Sequence, residues 1–243
     1  AGQPGHGLAH GGIEAACSAP DVHVDLLQHI LGLGPVLWLT ACAGTAVPPP
    51  PATSSVPAVA RTVNPAAITR IRPLLPQDYE IADVVGPVSA AGQWGFGPGW
   101  TADPPPCASL ADPAPADPAA RGYSASGRGG TLYVVVAAAG APGAGLLGEC
   151  PQWAMAFAHT TGTVTLADPP AVDGADTVAM TVATRTVVES GSETNGQAAT
   201  AQAYLDGHVV VVTLVTDPGS AHPPLDVRFV DDLLASSVAA LRG

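Results

Sequence analysis

The cysteine at position 42 has the neighbours that most clearly predict a chemical modification. A largely apolar run, residues 30–39, is followed by Thr40, Ala41 and Cys42. The sequence Leu39-Thr40-Ala41-Cys42 thus places a branched apolar residue and two small residues before a cysteine. This pattern matches the bacterial lipobox, where a lipid is attached to the cysteine thiol and the chain is cut just before it. The run is too short for a spanning helix, which needs about 20 apolar residues, and is typical of an export signal. We therefore expect a lipid on Cys42.

The segment that follows Cys42 is typical of an extended spacer. Residues 43–63 are rich in Pro and Ala with scattered Thr and Ser, a composition that cannot build a core. This argues against the alternative that residues 30–42 are a buried core segment with a chance cysteine. Residues 1–29 contain no Lys or Arg, although an export signal begins with positive charge. We expect that the true start lies further downstream or that the chain is a fragment.

Two further cysteines, Cys107 and Cys150, are predicted to form a disulfide. If Cys42 carries a lipid and Cys17 is removed with the signal, these two remain as an even pair. An exported protein folds in an oxidising compartment, where disulfides persist. The alternative is two free buried thiols.

An aromatic segment is the candidate ligand-binding site. Residues 93–100 read QWGFGPGW in a chain that is only 5% aromatic. Apolar walls with a few polar groups are typical of ligand pockets. The predicted binding residues are Trp94, Phe96, Trp100, Arg128 and Trp153. The alternatives are that the aromatic side chains fill the hydrophobic core and that Arg128 is a solvated loop charge.

No catalytic or metal-binding pattern stands out. Ser124 does not lie in a Gly-x-Ser-x-Gly elbow, and His159, His208 and His222 are well separated along the chain. We expect no bound metal, no cofactor and no enzymatic activity. If the protein is an enzyme, the alternative is a hydrolase. The formal net charge of −12 argues against nucleic acid and against adsorption to an anionic membrane surface. Membrane contact is therefore expected through the lipid on Cys42.

The elements that must position these residues predict an α+β domain. Asn64-Pro65 is a helix start, residues 131–138 form a continuously apolar and so central strand, and residues 208–216 are the most β-like run. Residues 122–130 are interpreted as a turn, residues 146–157 as a helix, and residues 226–242 as a final amphipathic helix. We predict a twisted antiparallel sheet with helices packed on one face. Residues 1–41 are the extension and signal, 42–63 a disordered lipid-anchored tether, and 64–243 one domain.

The chain resembles a known class of envelope proteins. The lipobox, the Pro/Ala tether, Leu75-Pro76-Gln77-Asp78-Tyr79-Glu80, the segment WGFGPGW and two later cysteines are similar to mycobacterial and other actinobacterial envelope lipoproteins. Their uncharacterised domain resembles the extracellular sensor domain of a mycobacterial Ser/Thr protein kinase. The resemblance covers residues 64–243 and implies a sensor-like, ligand-binding role at the extracytoplasmic face of the cell membrane. The expected partner is a small amphiphilic ligand or an envelope protein; the alternative is a structural or assembly lipoprotein that acts through a surface.

Overall fold

One antiparallel sheet dominates the protein. The computed structural model describes residues 62–216 and 218–243. The strands of this part are β1 (Glu80–Val85), β2 (Thr101–Asp103), β3 (Arg121–Gly127), β4 (Gly130–Ala138), β5 (Gln152–Phe157), β6 (Thr160–Ala167), β7 (Asp176–Val187), β8 (Glu193–Leu205) and β9 (His208–Thr216). Within the described residues they form a single nine-stranded sheet in the order β1-β3-β4-β9-β8-β7-β6-β5-β2. The antiparallel sheet of the prediction is confirmed, and the domain is mostly β.

The helices are few, and most of them are short. They are α1 (Ala90–Gln93), α2 (Ala108–Ala111), α3 (Leu146–Glu149) and α4 (Val227–Arg242), with 3₁₀ helices at Pro65–Leu74 and Pro105–Cys107. None of the helices in the described ranges is long and apolar enough to span a bilayer.

Both faces of the sheet carry a hydrophobic core, because successive side chains of a strand point to opposite faces. The face that we call the α4 face packs Val134, Val210 and Val212 against α4 and the 3₁₀ helix Pro65–Leu74. The face that we call the aromatic face packs Val135, Val209 and Val211 of the same strands, and Trp153 of β5, beneath α1, α2 and the aromatic segment. The aromatic segment contributes Trp94 and Phe96 to this core. The prediction that the helices lie on one face is therefore wrong, since the short helices cover the aromatic face.

The central strands follow the apolar pattern of the sequence. In β4, Val134, Val135 and Val136 are all buried, with 0–4% of each residue exposed, as expected for a strand with a core on both sides. The turn between β8 and β9 has positive φ at both Asp206 (45°) and Gly207 (76°), as the Asp-Gly pair predicts for a type I′ hairpin.

Two interpretations of local sequence are wrong. Helix α3 ends at Glu149 and the remainder of the predicted helix, Gln152–Phe157, is strand β5. Its buried residues, Trp153 and Met155, alternate with exposed ones, as in a half-buried strand. In an apolar run this short, the sequence pattern does not distinguish a strand from a helix. The predicted turn at residues 122–130 is mostly strand β3, because pairing with β1 and β4 overrides the low strand preference of Gly and Ser.

Caps define the first and last helices. The Asn64 side chain accepts a hydrogen bond from the Ala66 backbone N–H at 3.1 Å, although the helix that follows is 3₁₀ instead of α. Asp226 accepts one from the Arg228 backbone N–H at 3.0 Å, which confirms the predicted start of α4. The predicted signal, the lipid on Cys42 and most of the tether lie outside the described residues and stay predictions.

Candidate functional site

The aromatic segment begins directly after α1 and is shaped by glycine. Gly95 and Gly99 have φ values of +97° and +89°, a conformation that glycine adopts without steric cost. These two turns send successive aromatic side chains in different directions. Trp94 and Phe96 are buried, with 4% and 2% of each residue exposed, whereas Trp100 is half-buried. The segment therefore contributes both to the core and to the surface.

Trp94 is tied into the core by its polar atom. Its indole N–H donates a hydrogen bond to the Thr200 hydroxyl on β8 at 3.0 Å. The Thr200 hydroxyl lies 3.1 Å from the hydroxyl of Thr213 on β9. Since a buried indole N–H needs a partner, this chain of contacts fixes the position of the ring against the sheet.

The aromatic rings beside Trp94 lie directly against backbone. A Cβ at Gly162 of β6 would come within 2.7 Å of the Phe96 ring, and a Cβ at Gly97 within 2.4 Å of the Phe157 ring. Both glycines are therefore required for close packing, because real Cβ contacts are longer than this. The aromatic segment is thus seated on the β5–β6 end of the sheet.

A surface cleft of about 330 Å³ opens where this segment faces α1. Its lining combines Phe96, Trp100 and residues 97–99 of the aromatic segment with Ser89, Gly92 and Asp112. We call it the Trp100 cleft. Its volume falls at the lower end of the range typical of small-molecule sites. Of the five predicted binding residues, the structure brings Phe96 and Trp100 to this cleft.

The polar side of the Trp100 cleft is a serine–aspartate pair. The Ser89 hydroxyl donates a hydrogen bond to the Asp112 carboxylate at 2.6 Å and accepts one from the Gly92 backbone N–H at 3.1 Å. Burial raises the pKa of Asp112, against the opposing effect of hydrogen bonds from Ser89 and the Ala90 backbone. The pair caps α1 and places one carboxyl group at the edge of an apolar cleft.

The other three predicted binding residues, Trp94, Trp153 and Arg128, do not line the Trp100 cleft. Trp153 is 2% exposed on the aromatic face, and its indole N–H has no hydrogen-bond partner among the described residues. Arg128 is exposed in the turn between β3 and β4, where its backbone carbonyl accepts a hydrogen bond from Tyr79 at 2.6 Å. Tyr79 belongs to the α4-face core, so Arg128 is not part of the Trp100 cleft. Ligand binding by the five residues stays a prediction.

Cys107 and Cys150 form a disulfide, which confirms the predicted pairing. Both residues are buried, with 0% and 1% exposed. Cys107 ends the 3₁₀ helix Pro105–Cys107 and Cys150 follows α3, so the bond joins the segment that carries α2 to the start of β5. It holds in place part of the layer that covers the aromatic face.

Ser89 and Asp112 were not found by sequence reasoning. They are 23 positions apart and each lies in a stretch dominated by Ala, Pro and Gly. A weak signal was present, since Ser89 before Ala90 is a possible helix cap. No group of three or more His, Cys, Asp or Glu side chains in the described part of the chain is arranged to hold a metal ion.

Comparisons with known proteins identify the family and the fold. The fold is similar to that of an uncharacterised protein from Mycobacterium smegmatis, described as an Rv0999 ortholog, with a TM-score of 0.55 and 19% identity over 74% of this chain and 98% of that chain. Comparison with curated proteins gives no significant match. The family model described as a domain of unknown function, DUF5642, matches residues 64–242. The chain therefore belongs to the DUF5642 family.

Proposed function

We propose that this chain is a non-catalytic binding module of the cell envelope, anchored to the membrane by a lipid on Cys42, and that it binds a small amphiphilic ligand in the Trp100 cleft. The observation that carries the binding role is the cleft itself. It combines two aromatic side chains, Phe96 and Trp100, with one polar pair, Ser89 and Asp112. Such a combination orients an amphiphile, because its apolar part and its polar head meet different walls.

The location rests on the sequence and on the disulfide. Residues 30–42 read as an export signal that ends in a lipobox. The Cys107–Cys150 bond is of a kind that persists outside the reducing cytosol. The expected site is the extracytoplasmic face of an actinobacterial cell membrane, where the chain would act like the kinase sensor domain that it resembles.

The alternative is a structural or assembly lipoprotein that acts through a surface. It would be favoured by a large exposed apolar patch. The large apolar side chains most exposed in the described residues are Leu74, Val85, Val188 and Val227, which belong to different segments of the chain. We prefer the cleft because it combines aromatic and polar side chains.

The binding role can be tested on protein purified from membranes of an actinobacterial host. We expect mass spectrometry of organic extracts to detect an amphiphile that co-purifies with the wild-type protein. The Trp100→Leu variant should lose it, because the cleft loses an aromatic wall, whereas Tyr133→Leu, a half-buried aromatic residue on β4, should retain it. Equal recovery of the amphiphile from the wild type and from Trp100→Leu would contradict the assignment of the cleft.

A further inference from the structure

One of the two cavities that Asp112 lines contains a buried acceptor without a partner among the described residues. Asp112 lines the Trp100 cleft on one side and a small hollow of about 20 Å³ on the other. Gln93 lines that hollow, and its side-chain oxygen is buried without a hydrogen-bond partner in the described part of the chain. A buried acceptor without a partner costs free energy, so a group that entered this hollow would have to bring a donor.

The region also carries one sign of charge. Among the described residues that line the cleft and the hollow, Asp112 is the sole ionisable side chain. An anionic head group would meet the Asp112 carboxylate with no cation to offset the repulsion. An ammonium group would have the opposite interaction, and the net charge of −12 favours the approach of a cation over that of an anion.

The aromatic side of the cleft suits a cation as well. Trp100 and Phe96 line it together, and the face of an aromatic ring attracts ammonium groups, most strongly for tryptophan. A carboxylate and aromatic side chains that line one cleft thus provide two independent attractions for the same chemical group. Neither attraction exists for a carboxylate or phosphate head.

We propose that the Trp100 cleft binds the primary ammonium group of a cationic amphiphile, with Asp112 as its anionic partner and Trp100 as its aromatic partner. The proposal rests on the proposed function, since it names the head group of the amphiphile in that cleft. The ammonium N–H groups donate to the Asp112 carboxylate, while the apolar chain lies along Phe96 and Trp100. Ser89 holds the carboxylate in position through the 2.6 Å hydrogen bond.

The test compares three probes that share one apolar chain: octylamine, 1-octanol and octanoate. The full chain carrying Cys42→Ala is titrated with each probe by calorimetry at pH 7, so that neither an acyl chain nor detergent competes. We expect octylamine to bind at least tenfold more tightly than 1-octanol, and octanoate to bind most weakly. Asp112→Asn should weaken octylamine binding at least tenfold and leave 1-octanol unchanged. The control Asp168→Asn, an exposed acid after β6, should change neither.

The outcomes separate this inference from the proposed function. If 1-octanol or octanoate binds as tightly as octylamine, and Trp100→Leu abolishes that binding, the ammonium inference is overturned and the amphiphile site stands. Unchanged octylamine affinity in a folded Asp112→Asn protein overturns the inference in the same way. If none of the three probes binds, both the inference and the proposed cleft are overturned.

A second measurement covers the case in which Asp112→Asn does not fold. The pKa of Asp112 is raised by burial, and the carboxyl group must be ionised to pair with an ammonium group. Octylamine affinity in the unsubstituted cleft should therefore fall as the pH drops through the Asp112 pKa, while 1-octanol affinity should not change. An octylamine affinity that is independent of pH down to the onset of acid unfolding would overturn the inference.

Discussion

A few buried polar side chains fix the layer that covers the aromatic face. The Trp94 indole N–H donates to Thr200 at 3.0 Å. Gln202, which is 0% exposed, donates to the Leu110 carbonyl at 2.9 Å and accepts from the Tyr204 hydroxyl at 2.7 Å. These contacts join residues of β8 to the aromatic segment, to α2 or to another residue of β8. The segments that line the Trp100 cleft are thus held against the sheet by hydrogen bonds that lie outside the cleft.

Replacing Thr200 with valine should destabilise the protein by about 1–3 kcal/mol, because the Trp94 indole N–H would be buried without an acceptor. The free energy of unfolding in urea measures the effect. Thr161→Val on β6, where the threonine is exposed, is the matched control and should cost less than about 0.5 kcal/mol. Equal stability of the two variants would show that the Thr200 hydroxyl is not needed by Trp94.

Asp117 is expected to make stability depend on pH. Its carboxylate accepts hydrogen bonds from the backbone N–H groups of Ala138 at 2.7 Å and Ala119 at 2.9 Å, which lower its pKa. An acid whose pKa is lower in the folded state stabilises the fold above its unfolded pKa, and loses this effect as pH falls through the folded value. Asp117→Asn should therefore lower the melting temperature at pH 6 and flatten its decline toward pH 3. The same acid-side slope in both proteins would contradict this role.

At the scale of elements, α4 holds the α4-face core together. Its buried residues Val230, Leu233, Leu234, Val238 and Leu241 share a core with strand residues such as Val210 and Val212. Val227, the first residue of α4, is 54% exposed although it is apolar. Val227 therefore contributes little to the core, although Val230 in the same turn is buried.

This difference within one helix gives a paired prediction. Leu234→Ala, at a residue with 0% exposure, should destabilise the protein by about 2–5 kcal/mol, since it removes buried methyl groups and leaves a cavity. Val227→Ala should change stability by less than about 0.5 kcal/mol, as surface substitutions do. Urea unfolding of both variants is the measurement, and a similar loss in the two would mean that α4 packs along a different face.

The disulfide links two elements that flank the aromatic face. Its cysteines are 43 positions apart, and closing such a loop contributes about 3–4 kcal/mol in the chain-entropy description. The double variant Cys107→Ser/Cys150→Ser should melt roughly 10 °C lower. Wild-type protein treated with reductant should melt close to the variant. A variant that melts like the oxidised wild type would show that the bond adds no stability.

At the scale of the whole molecule, the cover over the sheet is uneven. The α4 face is covered at β3, β4, β8 and β9, while Ala154 and Ala156 of β5 and Thr163 of β6 on that face are exposed. Two hollows of about 470 and 420 Å³ that share Thr163 and Ala183 mark this part of the surface. The aromatic face, in contrast, is covered from β4 to β5. Among the described residues, the layer on the aromatic face therefore extends further toward β5 than the layer on the α4 face.

The anchor is a prediction about the whole chain. Cys42→Ala should move the protein from the membrane fraction to the aqueous fraction. Two acyl chains give stable anchoring, and alanine has no thiol to which a lipid can be attached. Intact mass measures the same event, since the processed protein should start at Cys42 and carry acyl groups. A Trp100→Leu protein is the control and should stay in the membrane fraction. Unchanged partitioning of Cys42→Ala would contradict lipid anchoring.

Local sequence was sufficient for elements whose own pattern is long or distinctive. The apolar run of β9, the Asp226 cap of α4 and the Asp206-Gly207 turn are each encoded by neighbouring residues. The Cys107–Cys150 pairing followed from cysteine number and compartment. These features depend on periodicity, capping and composition, which are properties of the chain itself.

Only the tertiary structure decided which residues form the candidate site. Trp94 and Trp100 belong to the same short aromatic segment, yet one hydrogen-bonds to Thr200 in the core and the other lines a cleft. Ser89 and Asp112 meet at 2.6 Å although they are 23 positions apart. β5 is a strand because it pairs with β6 and β2. Burial and pairing are set by contacts between distant parts of the chain, so no local pattern records them.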